Sequence, residues 1–189
     1  MEESRAWRNV VFSDLGILIL LALARLILHT LTNGQYGWHR DELDTLASVD
    51  NARYLAWSYV SYPPVTPFIA RMGLVLFGPS LVGLRFFSSL AMSSVMVLSG
   101  LMARELGGSR VAQITAAMAA SIAPISLLGG ALVTYSSFDY LWWVMIAYLI
   151  IRLLKSDDPR WWLGIGAVTC VAHRADQLRA VGFCQRDQR

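Results

Sequence analysis

Charge is scarce in this 189-residue chain: Asp, Glu, Lys and Arg make up 15% of it, against roughly 25% in ordinary soluble domains. Lysine is nearly absent, with Lys155 alone beside fifteen arginines, and histidine occurs only at His29, His39 and His173. Cys170 and Cys184 are the only cysteines, with neither metal-ligand spacing nor a disulfide framework around them. No Lys/Arg-rich run or basic-aromatic stripe is present, so the usual footprint of a nucleic-acid-binding protein is missing. The formal net charge of +3 does not change this, because residues 1–172 hold twelve basic and eleven acidic side chains and the last seventeen add four Arg and two Asp. What is present is a chain 56% hydrophobic with seven each of Trp, Tyr and Phe. That is the composition of a membrane protein with aromatic belts.

The long apolar runs set the architecture. A first segment from about Val10 to Thr32 is long enough for a hydrocarbon core of about 30 Å, and it carries Asp14, Arg25 and His29. Further spans are expected over Val82–Ala103, Val111–Leu128 and Leu132–Leu154, the last two joined by a tight turn at Gly129-Gly130. Between the first two spans, Thr66–Phe77 is apolar but too short to cross and reads as an interfacial or re-entrant helix. Leu43–Trp57 places Leu43, Leu46, Ala47, Tyr54 and Trp57 on roughly one helical face, the pattern of an amphipathic surface helix. The fold class is therefore an all-α polytopic membrane protein. Four to five transmembrane helices are expected, with amphipathic interfacial helices in the first outer loop.

Basic residues orient the spans. Arg5 and Arg8 precede the first, Arg104 and Arg110 flank the link between the second and third, and Arg152, Lys155 and Arg160 follow the fourth. With four spans all seven fall on one side, which the positive-inside rule places in the cytoplasm, with the first loop facing outward from the cell membrane. Trp161–Ala172 opens like a fifth span, but 173–189 turns polar. A helix that stops halfway across lipid leaves backbone groups without partners. Residues 1–172 are accordingly expected to form one membrane domain and 173–189 a polar tail. The tail reads either as a cytoplasmic tail after a short interfacial end or as the product of truncation, by a frameshift in a GC-rich gene.

The densest charge lies in Trp38-His-Arg-Asp-Glu-Leu-Asp44, five ionisable groups in six positions from His39 to Asp44. Three readings stand beside one another. Asp41 can cap the helix that follows, with Glu42 and Asp44 at the positive end of its dipole. Asp41 and Glu42 can form a catalytic carboxylate pair. His39 can join Asp41 or Glu42 in binding a divalent metal, with further ligands from elsewhere. Arg25, inside a span, is a functional residue by default or packs in the bundle against a carboxylate such as Asp139. Arg71 and Arg85 snorkel or pair with lipid phosphate. Asp139 is a buried polar contact or part of the outward site.

The order of these segments resembles glycosyltransferase family 39, the GT-C enzymes related to protein O-mannosyltransferases and the aminoarabinose transferase of lipid A. The resemblance is carried by Tyr36-Gly-Trp-His-Arg-Asp41-Glu42-Leu43, Tyr54-Leu-Ala-Trp57-Ser-Tyr-Val-Ser-Tyr62-Pro63-Pro64, Ala70-Arg71, Gly83-Leu84-Arg85, Ala103-Arg104-Glu105-Leu106-Gly107-Gly108 and Ser136-Ser-Phe-Asp139. It covers about residues 7 to 170, the N-terminal part of longer chains.

The resemblance implies transfer of a sugar from a polyprenyl-phosphate carrier to a lipid, glycan or protein acceptor on the outer face, among membrane lipids and without nucleic acid. It makes Asp41 the base, with Glu42 beside it. Arg71, Arg85, Tyr62 and Asp139 fall on the substrate and donor-phosphate side. Where the aminoarabinose transferases have Glu-Lys before Pro-Pro, this chain has Ser61-Tyr62, so the metal and phosphate roles of that pair do not carry over. No cofactor is named by the sequence. The readings from other classes are a transporter, with Arg25, His29 and Asp139 along a path through the bundle, and a nonenzymatic membrane-assembly subunit.

Overall fold

A computed structural model describes residues 13–35, 37–39, 42, 65–156 and 158–172. Among these residues all regular structure is helical: α1 (Asp14–Asn33), α2 (Val65–Phe77), α3 (Leu81–Glu105), α4 (Arg110–Ile122), α5 (Pro124–Ala131) and α6 (Tyr135–Ser156), followed by α7 over 160–172. Helices α1, α3 and α6 are each long and apolar enough to cross a membrane. The short apolar helix expected before the second span is α2. The amphipathic helix expected over Leu43–Trp57, the basic Arg5 and Arg8 and the polar tail lie outside the described residues.

Local sequence explains most helix boundaries. Ser13 Oγ accepts the Gly16 N–H at 3.1 Å to open α1, and Ser80 Oγ accepts the Gly83 N–H at 3.0 Å to open α3; both side chains satisfy first-turn donors that lack helical partners. Helix α3 closes at Gly107, whose φ of 85° suits a residue without Cβ. The Gly108 N–H donates to the Ala103 carbonyl at 2.8 Å and the Gly107 N–H to that of Arg104 at 3.0 Å, the paired bonds of a Schellman ending.

One expected span is broken. Helices α4 and α5 meet at a bend of 60°, centred on Ala123, whose φ of −57° and ψ of 132° leave the helical region. The next residue, Pro124, is the cause: its ring disfavours helical geometry at the residue before it and it has no N–H for the ladder. It then starts α5, where a missing N–H costs nothing. Gly129-Gly130, expected as the turn, instead lies inside α5, and the link to α6 is Leu132–Thr134. The described residues thus give three crossing helices, or four with the bent pair taken as one. Helix α7 is described over thirteen residues, 160–172.

Helix α3 is the centre, packed against α1, α2, α4, α5 and α6. Met92 and Val95 meet Phe138 of α6, Met96 meets Leu18 and Ala117, and Leu84 meets Ala70 and Val133. At the α2–α3 crossing a Cβ on Gly73 would lie 2.7 Å from the Gly83 carbonyl oxygen, so glycine sets the distance between these helices.

The chain order makes the bundle two-ended. At one end Asp14 pairs with Arg110 at 2.6 Å, and Glu105 pairs with Arg152 at 2.8 Å and Lys155 at 3.3 Å. The Arg152 guanidinium also stacks 4.8 Å over the Trp161 ring at the start of α7. The other end gathers the end of α1, the starts of α3 and α6 and the end of α5.

Candidate active site

The second end is organised by Arg85, in the second turn of α3. Its Nε donates to Glu42 Oε1 at 2.7 Å and its Nη2 to Glu42 Oε2 at 2.6 Å, a two-pronged pair in which both side chains are 0% exposed. Nη1 donates to the Asn33 carbonyl at 2.6 Å and Nη2 to the Gly37 carbonyl at 2.9 Å. The Asn33 carbonyl belongs to the last turn of α1, where carbonyls lack helical donors and a cation is favoured. Glu42 is saturated in turn: the His39 N–H reaches Oε2 at 3.1 Å and the Val133 N–H reaches Oε1 at 3.3 Å.

Two charges taken out of water cost several kcal/mol each in effective terms, recovered only when geometry is good and the remaining donors and acceptors are bonded. Here the hydrogen bonds supply that condition. The pair ties together α1, Gly37, His39, α3 and the α5–α6 link. Asn33 adds a second knot beneath it, its Nδ2 donating to Ser89 Oγ at 2.9 Å and to the Gly130 carbonyl at 3.1 Å. Deeper in the bundle, Arg25 is 6% exposed and donates to the Met92 carbonyl at 2.7 Å and to the Ser126 carbonyl and hydroxyl, both at 2.9 Å. The carboxylate expected to face it, Asp139, is not among these partners. Neutral oxygens of α3 and of the half-helix α5 hold it instead.

Against this network lies a cavity of about 730 Å³ between α1, α5 and the loop. Its walls are apolar, from Leu28, Leu127, Leu128 and Leu132, while His29, Thr32, Asn33, Trp38 and His39 line its polar part and Arg85 backs it. The combination of a mostly apolar cleft with a few placed polar groups is the usual form of a ligand site.

The sequence-predicted residues divide as follows. Glu42 and Arg85 come together; His39 is exposed on the same loop. Arg71 is half-buried on α2. Asp139 is half-buried on the first turns of α6. Asp41 and Tyr62 lie outside the described residues. Asn33, Ser89 and Trp38 were not singled out by spacing. An Asn-Gly pair closing an apolar run is a helix-end signal, and it could have drawn attention to Asn33.

The sequence model of dolichyl-phosphate-mannose-protein mannosyltransferase matches residues 61–175, more than half of the chain. The chain belongs to this family. The matched region runs through α2 to α7, so the family's extent covers the central helix, the broken span and Arg85, while the Glu42 loop precedes it. No curated protein and no solved structure matches this chain. Family membership and the apolar helices together make this a multi-pass membrane glycosyltransferase of the GT-C type.

Proposed function

We propose that this member of the family transfers a sugar from a polyprenyl-phosphate carrier to a hydroxyl of a lipid, glycan or protein acceptor, with Asp41 as the base. The observation that carries this reading is the sealed Glu42–Arg85 pair, which holds Gly37 and His39 beside a cavity with apolar walls. Asp41 is the residue before Glu42 in the sequence, and the Glu42 carboxylate is bonded on both oxygens. The apolar walls suit the carrier's hydrocarbon, and the loop end suits its phosphate and sugar.

In this reading the Asp41 carboxylate takes the proton of the acceptor hydroxyl as its oxygen attacks the anomeric carbon. The bond from that carbon to the phosphate oxygen breaks, and the electron pair leaves with the carrier phosphate. Attack opposite the leaving group inverts the anomeric configuration. Arg85, committed to Glu42 and two carbonyls, positions the loop. Arg71 is then the arginine assigned to the departing phosphate, whose oxygens a guanidinium can bind in two-pronged fashion. Tyr62 and Asp139 complete the substrate side. Among the described residues no group of three or more His, Cys, Asp and Glu side chains is arranged for a metal; a divalent ion would rest on His39 with the loop carboxylates, and no step is assigned to it.

The two-ended bundle supports an orientation. Arg104, Arg110, Arg152 and Lys155 gather at the end opposite Glu42, which the positive-inside rule assigns to the cytoplasm. The loop end then faces outward from the cell membrane, where a water-borne acceptor can meet the lipid-borne donor. The deciding experiment is sugar transfer in membranes by Asp41→Asn, expected to fall about 10²- to 10⁴-fold with unchanged membrane insertion. Full activity would remove Asp41 as the base.

A further inference from the structure

Trp38 lines the cavity with 51% of its surface exposed, and the backbone on both sides of it is held by the same buried pair. The Gly37 carbonyl accepts from Arg85 Nη2 at 2.9 Å, and the His39 N–H donates to Glu42 Oε2 at 3.1 Å. The catalytic reading uses the pair to anchor Asp41 and leaves the indole between the two clamps without a role. A Trp serving as a headgroup anchor needs only to reach the membrane interface. Clamping both neighbouring peptide groups with a fully desolvated ion pair goes beyond that need. It is the form of a preorganised contact surface, fixed before its ligand arrives.

The chemistry of the indole narrows the ligand. It offers a large, rigid contact area at low conformational cost, and its ring face is electron-rich. The complement is a flat array of polarised C–H bonds carrying hydroxyls around its edge. That describes one face of a pyranose ring, and Thr32 and His39 line the same cavity with polar groups suited to the edge.

We propose that Trp38 is a stacking platform for a pyranose ring bound at the mouth of the cavity. The proposal rests on the glycosyl-transfer reading above and names the residue that selects for a sugar. The ring can belong to the donor or to a glycan acceptor, and two measurements separate these sources. Binding of a polyprenyl-phosphate hexose and of bare polyprenyl phosphate is titrated on the purified full chain in nanodiscs, for wild type, Trp38→Leu and Trp38→Phe. Transfer to a methyl hexopyranoside is followed in parallel.

Stacking of the donor sugar predicts that Trp38→Leu weakens the hexose carrier about tenfold, the equivalent of about 1.4 kcal/mol, and leaves the bare carrier unchanged. Trp38→Phe, which keeps an aromatic face, restores most of the loss. Bare-carrier binding also serves as the control for folding. Stacking of the acceptor ring instead predicts unchanged carrier binding and an acceptor KM raised about tenfold at constant kcat. Equal weakening of both carriers, or no change in either measurement, overturns the proposal. Wild-type chain that binds neither carrier overturns the glycosyl-transfer reading itself.

Discussion

Both ends of the bundle are tied by ion pairs, and the two sets are built on opposite terms. At the Asp14 end most partners stand in the open: Arg110 is 55% and Asp14 35% exposed, and Lys155 is 56% exposed, although the Glu105 it meets is largely covered. At the Glu42 end both partners are fully covered, and both Glu42 oxygens also take backbone donors. Exposed pairs gain little, because solvent already stabilises each charge and long side chains lose freedom on pairing. The covered pair gains or loses much more, because a partner left alone there is an uncompensated charge. One end is trimmed with charge; the other is built on it.

The largest expected effect follows from breaking the covered pair. Arg85→Met should lower stability by about 3–5 kcal/mol, read as a fall in the unfolding midpoint of the purified protein in detergent. The double change Glu42→Met with Arg85→Leu removes both charges and should recover most of that stability. It should leave sugar transfer abolished, because the Gly37 carbonyl and His39 N–H lose the partners that place the loop. Recovery of activity with stability would show that the pair is structural only.

A middle-sized effect is expected at the α2–α3 crossing, where Gly73→Ala drives a Cβ against the Gly83 backbone. Such overpacking costs about 1–3 kcal/mol, visible in the same melt. The smallest effect belongs to the open end: Asp14→Asn should cost about 0.2–1 kcal/mol. The difference should shrink further in about 1 M salt, where the screening length falls to about 3 Å. If Asp14→Asn destabilised as much as Arg85→Met, burial would not be what separates the two ends.

The parts legible in the sequence are those written in local pattern. Apolar length located α1, α3 and α6, and the same criterion marked the segment of α2 as too short to cross. The break at Ala123 was missed because hydropathy reads composition, and both halves of the broken span are apolar. Pro124 was the available signal, outweighed by Gly129-Gly130, which looks like a turn but lies within α5. The site was half legible. Glu42 and Arg85 were both picked out, yet their pairing joins residues 43 positions apart and depends on α1 and the link before α6, which no spacing encodes. Arg25 shows the same limit, since its partners are main-chain and hydroxyl oxygens that any sequence supplies.

The central position of α3 bears on the order in which the protein is made. Ribosomes deliver α1 and the Glu42 loop before α3, so the acceptor for Arg85 exists by the time Arg85 is synthesised. The buried Ser89 is in a different position, since its hydroxyl donates to Gly130 of α5, a segment translated some forty residues later. Arg25 gains the Met92 carbonyl once α3 is made and the two Ser126 oxygens only when α5 follows. Newly made chain therefore holds two polar side chains incompletely bonded until α5 is made. The short half-helix after Pro124 is the piece whose arrival completes both sets of bonds, before α6 packs on α3 and the Val133 N–H reaches Glu42.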